Sequence, residues 1–143
     1  MFSKTCEYAI RAMIYIAQKS KHGNKVGIKE IAKGIGSPEH FIAKVLQDLG
    51  RKRLLLSVKG PNGGFYLDEN ALKSSLAHIV KAVDGDKLFT GCGVGLEQCS
   101  ELQPCPLHHE FKVVRKNIQH MLENARLYEF TEELEKSLTF LTR

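Results

Sequence analysis

Six residues in the middle of the chain, Lys59-Gly60-Pro61-Asn62-Gly63-Gly64, forbid a helix and impose a tight turn. Glycine adopts backbone angles that other residues resist, and proline has no amide proton to give a helical ladder. Apolar runs flank them, Leu54 to Val58 on one side and Phe65 to Leu67 on the other. Two short apolar runs joined by a glycine-rich tip read as a β-hairpin with little side-chain bulk at its end. What lies before this hairpin decides what it belongs to.

The preceding segments have helical periodicity. From Phe2 to about Lys19, apolar residues fall at Cys6, Ala9, Ile10, Met13, Ile14 and Ala17, the spacing of one buried helical stripe. Lys21 to Lys25, with Gly23 and Asn24, reads as a turn. A second helix carries Ile28, Ile31, Ala32 and Ile35 on one face and ends at Gly34 and Gly36. Ser37-Pro38-Glu39 then reads as a helix start, with serine as the cap, proline in the first position and an acid in the first turn. This third helix turns Phe41, Ile42, Val45, Leu46 and Leu49 inward and closes at Gly50 and Arg51-Lys52-Arg53.

Helices joined by a short glycine-containing turn predict a helix-turn-helix, and the hairpin after it predicts a wing. The expected class is mainly α with a small β-wing: a winged helix-turn-helix domain followed by a long dimerisation helix. Outward positions on the third helix are His40, Ala43, Lys44 and Gln47. Hydrogen-bonding and cationic side chains on an exposed helix are what reading a major groove requires. The wing tip is thin enough for a minor groove, whose negative potential would draw Lys59. The candidate DNA contacts are therefore Ser37, His40, Lys44 and Gln47 on the helix, and Lys59, Gly60, Pro61, Asn62, Gly63 and Gly64 on the wing.

Charge agrees with that placement. Residues 1–67 carry 12 Lys and Arg against 4 Asp and Glu, whereas residues 68–143 carry 9 against 12. A basic half joined to an acidic half points to a polyanion partner for the first and a different task for the second. No apolar run approaches the roughly 20 residues a bilayer span needs, and Met1 to Glu7 lacks the pattern of a secretory leader. The expectation is a cytoplasmic protein with no membrane partner. No oxyanion motif, nucleotide-binding loop or carboxylate pair is present, so neither an enzyme nor a small-molecule substrate is expected.

The second half opens with one amphipathic helix expected over Ala71 to Val83, ending at Asp84-Gly85. A loop to Pro106 holds Cys92, Cys99 and Cys105, with six and five residues between successive cysteines. Clustered thiols in a reducing compartment read as a metal site or as redox groups. Thiolates suit zinc, copper(I) and iron–sulfur clusters. These gaps exceed the two-to-four spacing of most zinc hairpins, which favours a larger object such as a cluster. A winged-helix regulator with a structural Cys₃His zinc, or with a metal-free thiol switch, is the alternative. Pro104 and Pro106 stiffen the loop's exit and set His108 at the start of the next helix. Cys6 lies on an apolar stripe and reads as core.

In that next helix Leu107, Phe111, Val114, Ile118, Met121 and Ala125 fall in heptad steps, the seam of a helix paired with its like. A homodimer is expected, as two-fold DNA readers require. Thr131 to Leu141 reads as a final helix capped by Thr131. The chain thus divides into a DNA-binding domain (1–84, wing 54–67), a cysteine loop (85–106) and dimerisation and C-terminal helices (107–143).

The sequence resembles the Rrf-type winged-helix regulators, the family that includes IscR and NsrR, over nearly its whole length. The resemblance is carried by Cys6-Glu7-Tyr8-Ala9-Ile10-Arg11-Ala12, by Phe41-Ile42-Ala43-Lys44-Val45-Leu46, by the wing Lys59 to Gly64, and by Cys92, Cys99 and Cys105. It implies a homodimer with a domain-crossed long helix that binds imperfect palindromes in double-stranded DNA; the expected role is that of a repressor, with an activator the alternative. It also implies an iron–sulfur cluster, [2Fe–2S] favoured and [4Fe–4S] the alternative, which an aerobic preparation can lack. The cluster's response to redox state, nitric oxide or cluster supply would modulate DNA binding. In IscR-like members a histidine three residues after the third cysteine completes the ligand set, here His108. In NsrR-like members an acid near the N-terminus of the other subunit does so, here Glu7. Two departures stand out. The first cysteine gap is one residue longer than in the IscR pattern, and Ala43 stands where IscR-like members carry glutamate, so their operator preference does not carry over.

Overall fold

A computed structural model describes residues 1–143. Helix α1 (Lys4–Lys21) is the spine. Its first turn is closed by the Ser3 hydroxyl, which accepts from the Cys6 amide at 3.0 Å, and Lys19 and Lys21 sit favourably in its last turn. Ala9, Ala12, Met13, Ile16 and Ala17 are fully buried along it. The alanines among them let neighbours approach closely, and α2, α3, α5 and the C-terminal segment all pack on this one helix.

Helices α2 (Ile28–Ile35) and α3 (Glu39–Arg51) form the helix-turn-helix. Gly34 lies inside α2 and Gly36 ends it. Ser37 does not cap α3 as the sequence pattern suggests. Pro38 holds the cap position and the Ser37 hydroxyl donates to the Pro38 carbonyl at 3.2 Å. The Ser37 amide donates instead to Ala32, closing α2.

The wing is β1 (Leu56–Val58) paired antiparallel with β2 (Gly64–Tyr66), with Leu56 opposite Tyr66 and Val58 opposite Gly64. β1 is shorter than its apolar run, and β2 is shifted one residue towards the turn. Leu55 and Leu67 leave the ladder and enter the core. Val26 adds an isolated antiparallel bridge to Phe65, a non-local pairing that no local pattern announces.

The helix expected over Ala71 to Val83 is two helices, α4 (Glu69–Leu72) and α5 (Leu76–Asp84). The break has a physical cause: Ser75 bridges Arg126 and its hydroxyl caps α5 through the His78 amide. A short α6 (Lys87–Thr90) leads into the cysteine loop, and α7 (His108–Asn124) follows it. The expected helix to Leu141 is also shorter. A 3₁₀ turn (Leu127–Phe130) leads into α8 (Thr131–Glu135), and Ser137 takes a positive φ of 55°. Thr131 does not cap it; its hydroxyl donates back to the Tyr128 carbonyl at 2.9 Å.

A core of 19 buried residues joins α1, α2, α3, the wing base, α4, α5 and Leu127. Each fully buried Leu, Ile or Met there contributes about 1.5–3 kcal/mol. A second cluster of Cys6, Ala77, Val80, Phe89 and Leu122 fastens α6 and α7 to α1 and α5. No helix is long and apolar enough to cross a membrane.

Candidate nucleic-acid interface and cysteine loop

Burial along α3 separates its faces. Ile42, Val45, Leu46 and Leu49 are buried, and Phe41 packs edge-on against Tyr8 with ring centroids 5.3 Å apart. The opposite face presents His40, Lys44 and Gln47 to solvent, while Ala43 is half-buried between the two faces. Ser37 is half-buried in the turn before them.

The wing tip closes as a four-residue turn in which the Gly63 amide donates to the Gly60 carbonyl at 3.0 Å. Lys59, Gly60, Pro61 and Asn62 are exposed, whereas Gly63 and Gly64 are half-buried for reasons of backbone approach. A Cβ on Gly63 would lie 2.0 Å from the Val58 carbonyl oxygen. At Gly64 φ is +141° and a Cβ would meet the Val26 backbone at 2.8 Å. Only glycine satisfies both positions, so these two residues build the wing whatever else they do.

Between α3 and the wing runs a shallow groove edged by Gln47, Arg51, Ser57 and Lys59, with Leu46 and Phe65 in its floor. It brings Gln47 of the helix and Lys59 of the wing onto one surface and adds Arg51 from the basic run that ends α3; Ser37, His40, Lys44 and Gly60 to Gly64 do not line it.

The cysteine loop, residues 91–107, rests on α7. Cys92, Cys99 and Cys105 are half-buried free thiols. Backbone amides of Val94 and Leu96, aided by the Cys105 thiol and the Gly95 amide, hold the Cys92 thiol below its ordinary value despite some desolvation. The Cys99 sulfur lies 3.4 Å from His108 Nδ1 and accepts from Arg115 Nη2 at 3.1 Å. His108 is 3% exposed. Its Nε2 lies 3.3 Å from a Glu101 carboxylate oxygen but out of hydrogen-bonding alignment, so this buried nitrogen has no true partner. Lys112 also pairs with Glu101 and, ahead of His108, keeps that carboxyl below the usual range.

Of the four donors, Cys99 and His108 stand in direct contact. No three are gathered tightly enough to enclose a single ion. Glu7, on the first turn of α1, forms an ion pair with Lys4 at 2.9 Å, which lowers its carboxyl. Cys6 is wholly enclosed. Burial first, and the neighbouring Asp84 charge second, push its thiol up to about 12. Such a thiol is inert at neutral pH. Along the heptad row of α7, Leu107, Val114 and Met121 are about half exposed, and the inward helix face is held by Leu122.

The model of the Rrf2 family, described as iron-dependent transcriptional regulators, matches residues 2–133. The chain belongs to the Rrf2 family. A regulator of the HTH type from Aquifex aeolicus is 30% identical over all of this chain and 99% of its own. The HTH-type transcriptional regulator IscR of Pectobacterium atrosepticum is 29% identical over 90% of this chain and 77% of its own. Two solved structures share the fold at 20% identity and a TM-score of 0.74. CymR, the global cysteine regulator of B. subtilis, covers 92% of this chain and 96% of its own. The IscR of T. potens covers 97% and 91%. This Rrf2 chain is accordingly a helix-turn-helix transcriptional regulator with the winged-helix architecture, and its relatives are regulators rather than enzymes.

Proposed function

We propose that this Rrf2 regulator binds a palindromic operator as a homodimer, acts as a repressor, and adjusts its DNA binding through an iron–sulfur cluster on the cysteine loop. The observation that supports the DNA half is the solvent exposure of His40, Lys44 and Gln47 on α3, with a groove that joins Gln47 and Arg51 to Lys59 of the wing. His40, Lys44 and Gln47 reach base edges and phosphates in the major groove. Lys59 and the Gly60–Gly64 tip enter the adjacent minor groove, with Ser37 near the backbone and Arg51 on a phosphate. Leu107, Val114 and Met121 supply an apolar row for a second copy. That copy sets two reading helices roughly 34 Å apart. In this division of labour 1–84 reads DNA, 85–106 senses and 107–143 dimerises.

The donor set supports the cluster half. Three soft thiols and an imidazole with one nitrogen buried and unpartnered fit a group that takes up sulfur and nitrogen ligands. Six and five residues between successive cysteines, wider than most zinc hairpins use, suit a cluster better than a lone zinc ion. Cys92, Cys99, Cys105 and His108 would hold it; Glu7 is the alternative fourth ligand, contributed from the other subunit. The cluster would supply a redox- and nitric-oxide-sensitive charge beside α7. Because the loop opens directly onto α7, its state bears on the dimer seam.

Anaerobic purification with iron and sulfide analysis, followed by operator selection on random duplexes, tests both halves. A brown protein that selects a palindrome in a salt-dependent manner is expected. A colourless protein with stoichiometric zinc, or with no metal, refutes the cluster and leaves the winged-helix regulator with a zinc or thiol loop. Lys44→Ala should weaken operator binding roughly 10- to 100-fold. Unchanged affinity and sequence preference would refute that residue's role.

A further inference from the structure

Arg115 lies two turns after His108 on the same side of α7 and is half-buried. Its guanidinium donates from Nη1 to the Gly91 carbonyl at 3.0 Å and from Nη2 to the Cys99 sulfur at 3.1 Å. Those two acceptors are the first residue of the cysteine loop and its middle cysteine. No carboxylate lies within ion-pair distance of Arg115, whereas the neighbouring Lys112 is matched by Glu101. The Arg115 charge is therefore directed at the sulfur rather than neutralised by an acid.

We propose that Arg115 is the positioning residue of the cysteine loop: it ties Gly91 and Cys99 to α7 and withdraws electron density from the Cys99 sulfur. The redox part of this proposal rests on the iron–sulfur reading above; the tether does not. Hydrogen bonds and positive charge at a ligating sulfur stabilise the more negative, reduced state of a cluster and raise its potential. The effect is strong because partial burial reduces solvent screening. A planar, always-charged fork can serve both acceptors at once. Lysine would bring the charge but only a point donor, so it would keep part of the electrostatic effect and lose the double tether.

The test compares wild type with Arg115→Lys and Arg115→Gln in two arms. In the first, each protein is loaded anaerobically with ferrous iron and sulfide, its iron and sulfide content is measured, and its midpoint potential is titrated. Potentials should fall from wild type through Arg115→Lys to Arg115→Gln at equal iron content. In the second, iron-free reduced protein is cleaved with a glutamate-specific protease at the exposed Glu97 and Glu101. Both variants should be cut about tenfold faster, as loss of a charge-assisted hydrogen bond at a loop tether predicts. Equal potentials and equal cleavage rates would overturn the proposal. A wild-type protein that takes up neither iron nor sulfide overturns the cluster reading and the redox half together, and the cleavage rates then judge the tether alone.

Discussion

The helix-turn-helix and the cysteine loop are held by different forces. Residues of α1 to α3 and the wing base interlock within a core of 19 buried residues that also takes in Ala71, Ile79 and Leu127, and fully enclosed side chains such as Ile42, Leu46 and Leu49 fix where α3 points. Inside residues 91–107 there is one backbone hydrogen bond, from Gly95 to Cys92. Its apolar residues Val94, Leu96 and Leu102 face solvent. The loop is held in place by a few polar ties: Arg115 to Gly91 and Cys99, and Glu101 to Lys112. A reading surface needs a fixed shape, which burial provides. The sensing role proposed for the loop needs change, and a few polar ties would leave it free to respond to a ligand.

The most severe way to break the first region is to hollow it. Leu46 is fully buried behind the α3 reading face. Leu46→Ala should cost about 2–5 kcal/mol, the sum of lost transfer energy and the cavity left behind. Urea unfolding should show a lower midpoint and an unchanged slope. If the loss is under about 1 kcal/mol, the core does not grip α3 in the way the burial indicates.

Gly63→Ala attacks the wing instead. Its Cβ would collide with the Val58 carbonyl oxygen, a backbone atom that cannot rotate away. The turn must open, at a cost of about 2 kcal/mol, and operator affinity should fall with it. Gly60→Ala meets open space but sits at φ +107°, so it carries conformational strain without the collision and should cost less. Equal effects from the two would show that backbone approach at Gly63 is not what shapes the wing.

Cys6 lets pH separate the two regions. Its thiol ionises near 12 in the folded chain against an ordinary value of 9.0. A raised acid pKa favours the folded state below pH 9, and that contribution is lost as pH climbs from 9 towards 12. Cys6→Ala should cost about 1 kcal/mol at neutral pH through the small cavity. The gap to wild type should then narrow at pH 10 and above, because alanine has nothing to ionise. A gap independent of pH would mean that Cys6 reaches water. The loop thiol Cys92, held low by backbone amides, should by contrast be alkylated by iodoacetamide at neutral pH while Cys6 is not.

The same contrast explains what could be read from the sequence. Each buried stripe of α1, α2 and α3 writes its period directly into the chain, and Gly60-Pro61 with Gly63-Gly64 admits nothing but a turn. The misplaced elements are those decided by distant partners. Ala71 to Val83 has a continuous amphipathic pattern, yet Ser75 is claimed by Arg126 and the helix breaks. Val26 is a strand residue only because Phe65 lies beside it. The C-terminal periodicity runs on to Leu141, but Lys136 and Ser137 leave the helix and Leu127 is drawn into the main core. At the candidate site, the cysteine spacing and the position of His108 are legible because thiols and imidazoles are few and distinctive. Arg115 is not, since one arginine beside a heptad row carries no local signal and its task follows from the folded path of Gly91 and Cys99.

The smallest expected effect is the sharpest test of the comparison. In iron-free protein Cys99→Ala should change global stability by less than about 0.5 kcal/mol. Cys99 is half-buried, its loop adds little to the core, and Arg115 retains its bond to the Gly91 carbonyl. Iron and sulfide should then separate the proteins: a group bound only by the folded state raises the melting temperature of wild type by mass action and leaves Cys99→Ala behind. The loop would in that case owe its order to what it binds. If Cys99→Ala destabilised iron-free protein as much as Leu46→Ala does, the loop would be structural core in its own right, and the division between a packed reader and a ligand-ordered sensor would fail.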